Sequence, residues 1–236
     1  METKNCFGTS RRHFVGRASA LVAAAALLGP PALLSAEKKK SGETDVTPTE
    51  DLMREHGVLR RLMLIFDEFA KRLHGAAEVP PALIAQSAEI IRTFIQDYHE
   101  VDEEVAIFPR FIKAGKLTGL VKTLLDQHHA GRRLIATLET SVKANLKDQA
   151  GREKVSGLMA AFNRMYRPHA AWEDTILYPA FRSVISPKDF EALGDQFEDK
   201  EQKKFGKDGF EKIVAEVAEL EKQLGLFDLA QFTPKL

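Results

Sequence analysis

Two segments of this chain carry the same side chains in the same order. His99-x-x-x-Glu103-Glu104-Val105-x-Ile107-Phe108-Pro109-x-Phe111 aligns with His169-x-x-x-Glu173-Asp174-Thr175-x-Leu177-Tyr178-Pro179-x-Phe181. In each, a glutamate follows a histidine by four residues, which on a helix places both on one face. A second pair of segments repeats in the same way. Leu52-Met53-x-x-His56-x-x-x-Arg60-Arg61-Leu62 aligns with Leu124-Leu125-x-x-His128-x-x-x-Arg132-Arg133-Leu134. The offsets are 70 and 72 residues, so one stretch of chain reads as a duplicate of the other. Each copy supplies a histidine plus a His/Glu pair, related by an expected pseudo-twofold axis.

Imidazoles and carboxylates buried together are costly unless something compensates them. Mutual hydrogen bonding is one answer and metal is the other. Donors of this type without a thiolate suit iron, manganese or zinc. Two equivalent halves suit two ions, with Glu103 and Glu173 placed to bridge them. A carboxylate-bridged pair of irons is the first choice from His56, His99, Glu103, His128, His169 and Glu173, with manganese or zinc behind it.

The elements that position these groups are helical. No stretch alternates apolar and polar residues with period two, so no strand is expected. Leu52, Leu59, Leu62, Met63, Phe66, Phe69 and Leu73 form a helical stripe on a first helix from about 49 to 74, stopped by Gly75. A second helix covers about 81–113, opened by Pro80-Pro81 and ended by Ala114-Gly115. The third and fourth cover about 117–146 and 151–184. Short connections make neighbours antiparallel, hence an all-α, up-down four-helix bundle over 49–184. A shorter pair, near 187–203 and 207–224, forms a C-terminal helical extension over 185–236, packed outside the bundle or across one end. Mirrored distances from the turns near 78, 115 and 149 bring all six donors to one level if they face inward.

The 236 residues hold 34 Lys+Arg and 34 Asp+Glu, a zero net charge that argues against a nucleic-acid partner. The single cysteine, Cys6, excludes a disulfide scaffold and a Cys-based zinc site. No nucleophilic triad or Gly-rich phosphate loop is present, so neither hydrolysis nor nucleotide use is expected. Residues 1–36 read as an export signal. Arg11-Arg12 precedes an apolar run from Ala18 to Leu28, too short to span a bilayer, and then Leu34-Ser35-Ala36 offers a cleavage site. The arginine pair resembles the twin-arginine signal, which implies the twin-arginine export machinery as a partner, a cofactor inserted before export and a periplasmic destination. No stable membrane insertion is expected after cleavage. Residues 37–48 read as a linker.

Over roughly 50–184 the chain resembles the hemerythrin-like family, also called the HHE cation-binding domain. The resemblance rests on Glu55-His56, His99-x-x-x-Glu103, Gln127-His128-His129-Ala130-Gly131-Arg132 and His169-x-x-x-Glu173. It implies a four-helix bundle with a non-haem di-iron centre near one end, held by His56, His99, Glu103, His128, His169 and Glu173. The oxygen-carrying members have a further histidine where this chain has Arg132, and tend to have Asp one residue after Glu173, where Asp174 stands. Four histidines and two glutamates are more similar to the iron–sulfur repair and regulatory members. The expected role is therefore to bind, sense or react with oxygen, nitric oxide or peroxide, as a metal- and ligand-binding protein more than a dedicated enzyme. An iron store or donor for repair of other sites is the alternative.

Nearby residues have plainer readings. The repeat favours His128 over His129 as the inward histidine, because Gly57 aligns with His129. Asp126-x-x-His129 resembles half of a ferritin-like pair, but only one copy exists. His74 reads as a surface residue, and Tyr98, Trp172 and Tyr178 as packing. Arg60-Arg61 and Arg132-Arg133 read as a solvated face or as donors to ligand carboxylates, and Glu201 as a supporting carboxylate. Pro109 and Pro179 should kink or end their helices.

Overall fold

A computed structural model describes residues 46–75, 78–144 and 146–235. The expected export signal lies outside the described residues, as does most of the expected linker. Among the described residues the chain is helical with no strand. Helix α1 (Pro48–His74) starts earlier than its stripe alone suggests. Thr47 caps it, accepting from the Glu50 amide while the Glu50 carboxylate accepts from the Thr47 amide at 2.9 Å, a reciprocal capping box with Pro48 in the first turn. Helix α2 (residues 81–114) ends at Gly115, whose φ of +65° is the left-handed conformation that stops a helix. Helix α3 (Thr118–Ala144) follows, then α4 (residues 149–181), capped by Asp148. The extension is α5 (Pro187–Phe205) and α6 (Gly209–Leu224).

The prolines behave differently from expectation. Both α2 and α4 run on past Pro109 and Pro179, because each helix widens to π geometry just before its proline. The wide turns are Glu103–Ile107 and Glu173–Leu177, where the amides of Phe108 and Tyr178 reach back five residues to Glu103 and Glu173. The extra residue in the turn absorbs the proline, so neither helix ends there. A longer π stretch, Ile91–His99, precedes the first. Such turns recur at functional sites.

Two apolar clusters form the core. The smaller gathers Leu52, Ile107, Phe108, Phe111, Val121, Leu124, Leu177, Tyr178 and Phe181, with Phe190, Leu193 and Phe197 from α5. The larger includes Leu59, Leu62, Phe66, Ile95, Ile135, Met159, Phe162 and Tyr166, with Ile213, Val217, Leu220 and Leu224 from α6. Helices α1 and α3 enter at the smaller cluster and leave at the larger; α2 and α4 do the reverse. Every crossing from one cluster to the other passes a buried histidine. The extension lies along α1. Arg61 pins α6 through both oxygens of Glu221, at 2.8 and 2.5 Å, and Arg72 donates to the Leu224 carbonyl at 2.6 Å.

Candidate metal centre

Between the clusters sits a polar layer. His56 comes from α1, His99 and Glu103 from α2, His128 from α3, and His169 and Glu173 from α4; all six are buried, none more than 3% exposed. The imidazoles turn their Nε2 atoms toward the two glutamates. His56 and His169 lie 3.3 and 3.1 Å from Glu173 Oε2, and His99 and His128 lie 3.6 and 3.4 Å from Glu103 Oε2. The His56 and His99 Nε2 atoms are 3.1 Å apart.

The outer nitrogens are all engaged. Nδ1 of His56 lies 2.7 Å from Asp174, that of His99 2.8 Å from Glu55, that of His128 2.9 Å from Glu104 and that of His169 2.8 Å from the Gln127 amide oxygen. An acceptor at Nδ1 holds a proton there, so that in the neutral ring, the form that binds metal, Nε2 turns its lone pair to the layer. The pattern obeys the repeat. Glu104 and Asp174 are equivalents, and each reaches across to the histidine of the other copy. Glu55 and Gln127 are equivalents, and each supports a histidine of its own copy. Arg60 pairs with Asp174, and Arg132 with Glu104 at 2.8 Å, so the first arginine of each doublet restrains the supporting carboxylate instead of a solvated face.

Electrostatics follow. Burial alone would pull His56 down, but its bond to Asp174 and the negative charge of Glu173 beside it push it up to about 9. His128 likewise rises to about 10 against burial, through Glu103 and Glu104. His99 falls to about 3, driven by burial. Burial opposes ionisation of Glu173 as well, yet His169 and His56 hold it well below the usual carboxylate range.

The inner atoms fit a metal. Glu103 Oε2, His128 Nε2 and both Glu173 oxygens are buried with no hydrogen-bond partner. They crowd together without aligning on one another, which is costly for polar atoms unless a cation takes their lone pairs. Ligand atoms of Glu103, His128, His169 and Glu173 all lie within 4.8 Å of each other. Glu100, Glu104 and His128 also cluster, but Arg132 lies 2.9 Å from Glu100 and neutralises that group.

Several side chains depart from their expected places. Tyr178 donates to Glu103 Oε1 at 2.7 Å as well as stacking on His56, whereas its equivalent Phe108 stacks on His128 without a hydroxyl to offer. Trp172, expected in the core, is 54% exposed. Asp174 supports His56 and does not replace Glu173 as the inward carboxylate. Glu201 accepts from the Phe210 amide at 2.8 Å and so serves the start of α6, not a layer histidine. Arg61 serves Glu221, and Arg133 and His129 are exposed. Asp126 pairs with Lys122 at 2.7 Å, which leaves no ferritin-like pair. Sequence reasoning missed Glu100 and Tyr166, joined at 2.5 Å, because neither has an equivalent in the other copy. Glu55 and Gln127, directly before His56 and His128, stood in the motifs that carry the family resemblance, but the sequence assigned them no role.

The chain matches the family described as the hemerythrin HHE cation binding domain over residues 47–181, and again over 122–227. The two matches overlap across α3 and α4, and the second runs on through α5 and α6. Relatives 46% identical over 193 residues include "Uncharacterized protein Rv1995" of Mycobacterium tuberculosis and "Uncharacterized protein Mb2018" of Mycobacterium bovis. Each alignment covers 81% of this chain and 76% of the relative. No solved structure matches. The chain belongs to the hemerythrin HHE cation-binding family, and its buried His/Glu cluster marks it as a metal-binding protein.

Proposed function

We propose that this chain holds a non-haem di-iron centre and uses it to bind, sense or react with a small ligand: oxygen, nitric oxide or peroxide. His56, His99, Glu103, His128, His169 and Glu173 would hold the ions, within an up-down four-helix bundle over 49–184 to which α5 and α6 are an extension. The observation that carries this reading is the set of inward Nε2 atoms facing carboxylate oxygens that have no other partner. Bound iron supplies Lewis acidity and one-electron redox change. The chain's part is to orient the imidazoles through Glu55, Glu104, Gln127 and Asp174, and to keep bulk water out with the apolar clusters on either side. The apolar clusters on either side of the layer favour a small ligand over a large one. The fixed outer contacts favour resident ions over an iron store that delivers its cargo. We propose further that residues 1–36 direct twin-arginine export to the periplasm, with iron inserted beforehand.

The test is iron content and absorption of the purified chain. About two irons per chain are expected, with absorption bands that change on adding oxygen, peroxide or nitric oxide. His99→Ala should lower the iron sharply. A wild-type chain that folds in iron-replete cells yet carries no metal would overturn the reading.

A further inference from the structure

The duplication that builds the layer is broken behind one pair of equivalent histidines. His99 and His169 are equivalents and present Nε2 to the same layer. Behind His99 stands the Glu55 carboxylate, and behind His169 the Gln127 amide oxygen, each 2.8 Å from Nδ1. A charged acceptor makes a stronger hydrogen bond than a neutral one. It also pushes electron density through the ring, so Nε2 becomes a better donor to metal.

The histidines pair by copy. His56 and His99 have ring centroids 4.7 Å apart, and His128 and His169 5.0 Å apart. The other supports are matched, since His56 and His128 each rest on a carboxylate held by an arginine. Tyr178 acts on Glu103, whose Oε2 faces one imidazole of each pair, so it does not select between them. The mismatch at Nδ1 is confined to Glu55 and Gln127.

We propose that Glu55 and Gln127 are positioning residues that grade the two ion positions: the one served by His56 and His99 binds more tightly than the one served by His128 and His169. This rests on the two-ion reading above. Its test uses zinc(II) titrated into the metal-free full chain against a competing chelator. Two steps about tenfold apart are expected, because supporting contacts of this kind change metal affinity by about 10- to 100-fold. Gln127→Glu should tighten the weaker step and bring the two together. Glu55→Gln should loosen the tighter step, and the double exchange should restore the gap. Gln127 is only half-buried, so Gln127→Glu keeps the test alive if Glu55→Gln does not fold. Two zinc ions bound with the same pair of affinities in wild type and Gln127→Glu would overturn the grading and leave the two-ion reading standing. Failure of the wild type to bind a second ion would overturn both.

Discussion

The Tyr178 hydroxyl donates to Glu103 Oε1, while Phe108, at the equivalent place in the other copy, leaves both Glu173 oxygens without a donor. One inward carboxylate therefore takes a tyrosine hydroxyl that the other lacks. Tyr178→Phe removes the donor and leaves the ring packing. It should destabilise the metal-free chain by about 1–3 kcal/mol, the cost of stranding a buried oxygen. The loaded chain should lose less, because an ion engages Glu103. Thermal melts with and without metal check this; equal losses in both states count against it.

Metal loading should depend on pH in a definite direction. In the metal-free chain His56 and His128, pushed up to about 9 and 10, are cations at neutral pH. Ligation requires neutral imidazole, so about two protons leave as the layer fills. Apparent zinc affinity should rise from pH about 6 to about 9, and a flat profile would count against the assignment. The same raised values stabilise the metal-free fold fully below about pH 6.5, and that contribution fades as pH climbs through about 9 and 10.

Asp174→Asn keeps the shape but replaces the carboxylate that His56 and Arg60 share. Metal affinity should fall by about 10- to 100-fold with the helical content unchanged. Competitive titration followed by circular dichroism separates this from unfolding.

Gly131 lies under the Tyr166 ring, where an added Cβ would sit 2.0 Å from the hydroxyl. Gly131→Ala must expel that hydroxyl from its bond to Glu100, and a loss of about 1–3 kcal/mol is expected. Chemical denaturation measures it; an unchanged midpoint would mean that the ring moves freely.

Leu220, wholly buried on α6, touches the larger cluster and not the polar layer. Leu220→Ala should cost about 2–5 kcal/mol while the metal bound per folded chain stays constant. A parallel loss of metal would show that the extension shapes the site.

How much of this was readable beforehand varies by residue. The helical periods and the repeat located α1 to α4 and brought His56, His99, Glu103, His128, His169 and Glu173 to one layer, because spacing along a helix fixes both face and height. Glu104 and Asp174 were visible as a repeated acid but not as supports, since their partners lie on other helices. Tyr178 was read as packing because its hydroxyl finds Glu103 only through the crossing of α2 and α4. Pro109 and Pro179 misled: local rules count the lost hydrogen bond, whereas the structure widens the preceding turn. The place of α5 and α6 was open because an apolar stripe states that a face is buried and not against what.

Those widened turns start at the same rung in both copies, on Glu103 and Glu173. Each holds one surplus residue, taken up by the wide turn itself. Deleting Ala106 alone would let the Phe108 amide reach Glu103 across four residues, the ordinary span, so Phe108 and Phe111 would stay above the same acid. Pro109 would lose the wide turn that clears it, and its ring would meet the carbonyl four residues back. The irregularity is thus a spacer: it seats a proline inside each helix without moving the aromatic seal off its acid.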